Sequence, residues 1–332
     1  MSFGNRSVSD LVGRSVGDPL APFALRPEKA HIASPDGNAV LGYAIRLGVV
    51  VASGDPVGLT PEARAAAVAE FVRRAGRRPI AVLGAGEAAR PLWEAHGLRA
   101  VPIGRDVVVD TCSFDLVGRR FRNLRQAVSR TRNAGVTVEI VREADVTDLD
   151  RQAVRRMETL AGHDPTRGFS MILGRMLDGA TPDGVFALAR TADGTVCAAH
   201  RYLPAGPEDL SLDLPLRARR APNGVDERLT LETIAWARDH GYKRVSLAFA
   251  PFPDLFADDA TALRHPWARA AARRAVHAFD PLLHVERLYR YLRKYRSFDQ
   301  ERAVMLRPHQ LVRVAAALIL LEFGRYGRGT RL

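Results

Sequence analysis

The chain has 332 residues, 47% of them apolar, which is enough for a packed core and argues against a disordered chain. A formal charge of +12 is unusual for an enzyme of small metabolites and favours a polyanionic partner, either nucleic acid or an acidic membrane face. Arginine supplies almost all of that charge, since Lys29, Lys243 and Lys294 are the only lysines, and the two distant cysteines Cys112 and Cys197 exclude a disulfide framework and a thiolate metal site.

Residues 1–20 are polar with scattered glycine and read as a flexible leader without the apolar centre of a signal peptide. No run of about 18 apolar residues occurs, so the protein reads as cytoplasmic, soluble or peripheral at the inner face of the cell membrane. From 31 to 58 two β-rich runs flank Pro35-Asp-Gly-Asn38, the pattern of a hairpin. Thr60 then caps a helix with Pro61 at its first position and Gly76 as its stop. The stretch AVLGAGEAAR, 81–90, contains Gly84-Ala-Gly86-Glu-Ala-Ala89, which fits the dinucleotide-binding pattern G-x-G-x-x-G/A. A hairpin and a helix precede it, however, and the later acids Asp106 and Asp110 bracket a valine run instead of ending one, so an ordinary strand-to-helix turn is the better reading. A short helix over EAARPLWEAHG and one or two strands over 98–114 follow.

Around 117 the character changes. Residues 118–135 carry six arginines, at 119, 120, 122, 125, 130 and 132, while Phe121, Leu124, Ala127 and Val128 recur at helical spacing. This is a basic amphipathic helix able to lay Arg119, Arg122, Arg125 and Arg130 along phosphates, or equally to stand as a solvated surface helix. Beyond it come the strand VTVEIVRE, helices over TDLDRQAVRRMETLAG and GFSMILGRMLDG, a hairpin around Asp193-Gly194, the strand LSLDLPLR, a loop and helix over 218–240, the strand KRVSLAFAP and a helical region over 262–300. WEAHGLRAVPIG and WARDHGYKRVSLAF are weakly alike, a hint of duplicated topology. The predicted organisation is α/β: a leader at 1–20, a first lobe at 21–116, a basic linker helix at 117–135, a second lobe at 136–300, and an amphipathic C-terminal helix within 301–332.

The most suggestive chemistry lies in SLDLPLRARRAPNGVDERLTLETI, 211–234. A strand carrying Asp213 enters an arginine-rich loop, Asn223-Gly224 turns tightly, and a helix starts near Val225, so that backbone N–H groups and Arg217, Arg219 and Arg220 converge on a plausible anion site. The alternative is a solvated loop beside a paired edge carboxylate. His163, Asp164 and the histidines 265, 277 and 284 lack metal-ligand spacing, and neither a nucleophile elbow nor a P-loop occurs. The apolar helix from Leu311 reaches roughly 20 Å over about 14 residues, too short for a bilayer core of about 30 Å. It suits a membrane interface or a site on the protein itself.

Several stretches taken in order carry a resemblance: VASGDPVG at 51–58, FRNLRQAVSRTRNAGVTVEI at 121–140, RGFSMILGR at 167–175, LSLDLPLR and APNGVDERL at 210–229, and HGYKRVSLAFAPF at 240–252. The set resembles the soluble catalytic domain of the phosphatidylglycerol lysyltransferase (multiple peptide resistance factor) family from about residue 25 to 300. That resemblance implies two tandem acetyltransferase-like (GNAT) lobes joined by a basic helix, aminoacyl-tRNA as donor and an anionic membrane lipid as acceptor. It implies no cofactor beyond the aminoacyl-tRNA itself. Asp213, Arg217 and Glu232 become the expected catalytic residues, with Asn223, Gly224, Arg220, Arg119, Arg122, Arg125 and Arg130 on the substrates. The chain departs from the family where D-L-M-R-R reads Asp213-Leu-Pro-Leu-Arg217, and where a methionine usually precedes the acid after the turn but Asp226 stands before Glu227. The alternatives are an acyl-CoA-dependent N-acyltransferase, disfavoured by the single glycine of RRAPNGV, a tRNA-dependent transferase with a soluble acceptor, and a non-catalytic RNA- or membrane-binding protein.

Overall fold

A computed structural model describes residues 5–161, 168–169, 172–251, 285–323 and 332. Its strands form one twelve-stranded sheet in the order β1-β2-β3-β5-β12-β6-β11-β10-β9-β8-β7, with β4 beside β2. The first half contains β1 (Ala30–Ala33), β2 (Ala39–Arg46), β3 (Val49–Ser53), β4 (Val57–Gly58) and β5 (Ile80–Gly86), with helix α2 (Pro61–Ala75) crossing from β3 to the parallel β5. The second contains β7 (Thr137–Arg142), β8 (Val185–Arg190), β9 (Val196–Pro204), β10 (Asp209–Arg217) and β11 (Arg244–Pro251), with α6 (Val225–Asp239) crossing from β10 to the parallel β11. Each half is thus an antiparallel run that ends in one parallel crossover, but the two similar segments are not its equivalents: 236–249 spans the end of α6 and β11, whereas 93–104 runs into the strand Arg99–Asp110, outside the α2 crossover. Each half is then completed by a strand from the other half of the sequence. β12 (Phe298–Leu306) pairs with β5, β6 (Arg99–Asp110) pairs with β11, and β6 and β12 pair with each other at the centre.

This exchange corrects the expected boundary at 301. Residues 301–306 are a central strand, and among the described residues beyond them a 3-10 turn, Pro308–Gln310, leads into α8 (Leu311–Phe323). The leader is corrected too: residues 5–14 form α1 (Asn5–Arg14), whose Val8, Leu11 and Val12 are buried against Ala21, Ala24, Val40 and Val57. Three apolar residues at i, i+3 and i+4 make one helical stripe, which glycine and polar neighbours obscure in the sequence.

Local signals act as expected elsewhere. Thr60 Oγ1 accepts the Ala63 N–H at 3.2 Å, and α2 buries Ala63, Ala67, Val68, Phe71 and Ala75 along one face. Phe71 meets Trp93, of the short α3 (Arg90–Glu94), edge to face at 5.8 Å. The two glycines of GAG serve the sheet. Gly84, at φ +86°, is the extra residue where the β5–β12 register shifts, and a Cβ on Gly86 would lie 2.7 Å from Asp55 and 3.0 Å from Arg302. At this bulge the Gly84 carbonyl is met by the Arg302 guanidinium. That group is fully buried and reaches Asp106 at 2.7 Å, Asp18 at 2.8 Å, Asp55 at 3.3 Å and the Gly84 carbonyl at 3.1 Å.

The helix expected over GFSMILGRMLDG is absent: its described residues are irregular. Their backbone groups are taken by side chains from both halves. Arg26 donates to the Gly168 and Ile172 carbonyls at 2.9 and 2.7 Å, the Leu173 N–H donates to Asp213 at 2.8 Å, and the Leu177 N–H donates to Glu143 at 2.6 Å. Lys29 lies beneath Phe169, and burial, with Arg26 beside it, pulls its ammonium down to about 7. The strap therefore joins the halves by hydrogen bonds that a helix would have kept for itself.

Three carboxylates on one buried guanidinium leave excess negative charge. Burial, and Asp18 next, push Asp55 up to about 7, and burial pushes Asp106 up to about 6 despite the Arg302 charge. Between the ordinary carboxylate range near pH 4 and these values the folded state keeps protons that the unfolded chain releases, so stability falls as pH rises through that window. Asp55→Asn is expected to flatten the fall between about pH 6 and 7 and leave the Asp106 part below 6, read by urea unfolding across pH. Arg302→Met, which strands the carboxylates, is expected to cost about 3–5 kcal/mol in the same assay at pH 7.

Candidate functional site

β10 carries the expected catalytic aspartate on a bulge: Leu212 faces Tyr202, Leu214 faces Arg201, and Asp213 is the additional residue between them. The bulge turns its carboxylate inward. Asp213 accepts Arg201 Nη1 at 2.6 Å and the Leu173 N–H at 2.8 Å, and only 2% of its side chain is exposed. Arg201, equally buried, also donates to Glu143 at 2.8 and 3.1 Å and to the Arg175 carbonyl at 2.8 Å. A buried pair of carboxylates thus shares one guanidinium, and Asp213 is committed to holding the strap in place.

Arg217 ends β10 and closes the loop that follows. It donates to the Ala221 carbonyl at 3.0 Å, to Asn223 Oδ1 at 3.2 Å and to Asp226 at 3.2 Å. Arg217, Asn223 and the helix start are therefore brought together as the sequence implied. Arg219 and Arg220 are exposed and make no ion pair among the described residues. Gly224, at φ +96°, is the N-cap of α6, and its role is close approach: a Cβ there would lie 2.9 Å from the Ala127 Cβ. Ala127 belongs to α4 (Arg122–Asn133), the basic helix, which buries Leu124, Ala127 and Thr131. Glu232 lies away from this turn along α6, 3.5 Å from Arg228, which in turn donates to the Val136 carbonyl.

Arg119 starts a 3-10 turn ahead of α4 and, like Arg122 and Arg130, is exposed. Arg125 differs from them: its Nη1 donates to the Leu116 and Gly118 carbonyls and so pins the loop entering the helix. Three of the four expected phosphate ligands point to solvent, and the fourth is tied to its own backbone.

One group of residues was missed. His200 on β9, 1% exposed, places Nε2 3.3 Å from Asp226 and Nδ1 3.4 Å from the Tyr202 hydroxyl. A chain of hydroxyls continues from Tyr202 to Thr230 at 3.4 Å, to Tyr291 at 2.6 Å and to Tyr295 at 3.1 Å. Tyr291 and Tyr295 stand on and just after α7 (Val285–Leu292). Burial pushes Tyr202 up to about 12 and the other two tyrosines well above their usual value, so all three remain protonated donors. Burial pushes Asp226 up, but His200 and Arg217 outweigh it and hold the carboxyl below its usual value. Lys294, one of three lysines in the chain, pairs with Glu227 next to this group. The available signal was a histidine inside the apolar strand VCAAHRYL, since a buried polar side chain must be paired. Tyr295 also lines a cleft of about 470 Å³ with Phe114, Phe121, Arg120, Arg244 and Arg296. His163, Asp164, the histidines 265, 277 and 284, and the helical region expected over 262–284 lie outside the described residues.

Antiparallel strands with one parallel crossover in each half, a basic helix packed at the start of the second crossover helix, and a bulged strand with a polar loop define an α/β protein of two similarly wound halves on one sheet. The family model described as phosphatidylglycerol lysyltransferase, C-terminal, matches residues 9–305, and the chain belongs to that family. It is 45% identical over 327 residues to the MprF-like domain protein Rv1619 of Mycobacterium tuberculosis, covering 94% of this chain and 66% of that one. It is 35% identical over 330 residues to the lysylphosphatidylglycerol biosynthesis bifunctional protein LysX of Rhodococcus jostii, covering 97% of this chain but 29% of LysX. The chain therefore spans less than two thirds of the length of these relatives. The fold matches L-PGS from Bacillus licheniformis with a TM-score of 0.80 at 19% identity, covering 98% of each chain. It also matches the C-terminal domain of a putative lysylphosphatidylglycerol synthetase from Agrobacterium fabrum, with a TM-score of 0.76 at 22% identity and 98% of each chain covered.

The charge balance around Arg201 separates two variants. Arg201→Met leaves Glu143 and Asp213 buried without a cation and is expected to cost about 3–5 kcal/mol. Asp213→Asn leaves a balanced Arg201–Glu143 pair and an acceptor for Leu173, so a loss of about 1–2 kcal/mol is expected from urea unfolding. The asparagine variant thus stays folded and reports on chemistry.

Proposed function

We propose that this chain is an aminoacyltransferase that moves an amino acid from aminoacyl-tRNA to a hydroxyl of an anionic membrane lipid of the phosphatidylglycerol type. The observation that carries this reading is the family match over 9–305, most of the described sheet and both crossover helices. Part of the geometry supports it as well: the outward arginines of α4 and of the loop after β10 offer phosphate contacts.

The donor ester is already activated. The acceptor oxygen attacks the ester carbonyl, the bond to the ribose oxygen breaks, and the acceptor's proton ends on that ribose oxygen. What the protein must supply is positioning, a route for one proton and stabilisation of the tetrahedral oxyanion. Arg217 stands at the mouth of the polar group formed by Asp226 and His200, and it is the cation that receives the developing negative charge or the acceptor's phosphate. Asp213 acts through the strap it holds, as a residue that positions the segment beside the site. Arg119, Arg122, Arg130 and Arg220 meet tRNA phosphates, Asn223 and Gly224 shape the turn beneath them, and Glu232 fixes Arg228 at the start of β7.

Incubation with a panel of labelled aminoacyl-tRNAs and phosphatidylglycerol, with an RNase control, tests the reading. Label in the lipid fraction is the expected result, and label in no lipid with any amino acid would overturn it. Arg217→Ala is expected to lower transfer at least tenfold while folding is retained. Replacing Arg119, Arg122 and Arg130 by glutamine is expected to weaken tRNA binding and to reduce the slope of log affinity against log salt by about 2–3.

A further inference from the structure

Helix α8 has two apolar faces where one would suffice. Val314, Ala317 and Leu321 pack beneath it on the sheet with Val49, Val51, Ala81 and Leu306. The opposite face carries Val312, 84% exposed, and Ile319, 43% exposed, with Ala315 and Ala316 between them and Leu311 at the edge. Within LVRVAAALILLEF the only charged residues are Arg313 and Glu322. A helix that is apolar on both sides and buried on one needs a second apolar phase.

The tip of the β2–β3 hairpin extends this face. Leu47 holds φ +50°, a left-handed conformation that leucine rarely adopts, and its side chain is 50% exposed. Arg313 fixes it there, donating Nε and Nη2 to the Leu47 carbonyl at 3.0 and 2.8 Å. The neighbouring Gly48 makes room, since a Cβ there would lie 2.6 Å from Arg313 Nη2. A strained leucine held out to solvent beside an apolar helix is an arrangement that hydration alone disfavours.

We propose that the outer face of α8 and the Leu47 tip form one docking surface that seats the protein on an anionic lipid bilayer. The charge around the patch matches that partner. Arg46 precedes Leu47 at the hairpin tip, and Arg313, on α8 itself, holds that tip. Apolar side chains entering the interface while arginines meet anionic headgroups is the way a short amphipathic helix holds a membrane. At 13 residues α8 measures about 20 Å and lies on the surface; among the described residues no helix is long and apolar enough to cross a membrane. The choice of a bilayer as occupant rests on the lipid acceptor proposed above, and the test keeps the two apart.

The whole chain is sedimented with vesicles of phosphatidylcholine mixed with phosphatidylglycerol, and with vesicles of phosphatidylcholine alone. Binding to the first and weaker binding to the second is expected, with the difference falling as salt rises. Val312→Gln, Ile319→Gln and Leu47→Gly together are expected to lower partition at least about tenfold. Glycine suits φ +50° and the other two positions are exposed, so these changes leave the fold intact. Leu149→Gln with Leu160→Gln, exposed leucines on α5 (Asp148–Ala161), should leave partition unchanged. Transfer to lipid in vesicles should fall in the triple variant, while transfer to a short-chain phosphatidylglycerol dispersed as monomers stays at the parent level. Unchanged partition of the triple variant overturns the proposal. So does a dimer that the substitutions convert to monomer while vesicle binding persists. If partition behaves as stated but neither form of lipid is aminoacylated, the transferase reading fails and the docking surface stands.

Discussion

The buried Arg302 guanidinium is the interaction on which this architecture turns. It arrives late in the sequence, on β12, yet its partners come from residues 18, 55, 84 and 106. Until β12 enters between β5 and β6, the Gly84 bulge has no guanidinium to accommodate and the Asp18, Asp55 and Asp106 carboxylates face one another without a cation. A buried ionic cluster contributes little net stability compared with an apolar equivalent, but it tolerates few alternatives in register. Its effect here is to specify which strand occupies the middle of the sheet.

The second half repeats the device with different residues. Arg201 on β9 holds Asp213 at the bulge of β10 and Glu143 from the turn after β7, as Arg302 on β12 holds acids near the bulge of β5. In both, an arginine on one strand sits next to a bulge on its neighbour, with more carboxylate than cation. One consequence distinguishes them: Asp213 also binds the Leu173 N–H, so the second cluster governs the strap between the halves. A change at Asp213 is therefore transmitted to the position of residues 172–177 as well as to any substrate nearby.

Elements with a local cause were legible in the sequence. Thr60-Pro61 and Gly76 delimit α2, the turn at 35–38 joins β1 to β2, and Leu124 and Ala127 give the basic helix its buried side. What could not be read was long-range. A strand at 298–306 looks like the start of a C-terminal helix because nothing local shows that its neighbours lie more than 190 residues earlier. GFSMILGRMLDG has helical spacing, but Arg26, Asp213 and Glu143 compete successfully for its backbone groups. At the site, the residue types of β10 and its loop were found, while His200 and Asp226 were not assigned a role, because their meaning lies in a contact between β9 and α6.

That contact explains the polar start of α6. An aspartate at the first turn of α6 gains from the helix N-terminus and from Arg217, and it needs a partner on its inner side. His200 supplies one from within an otherwise apolar strand, and the hydroxyls of Tyr202, Thr230 and Tyr291 satisfy what the imidazole leaves over. A connected polar set inside an apolar sheet is tolerable only when every member is bonded. The polar set thereby runs from the half-exposed Asp226 and Arg217 to Tyr295 at the wall of the large cleft.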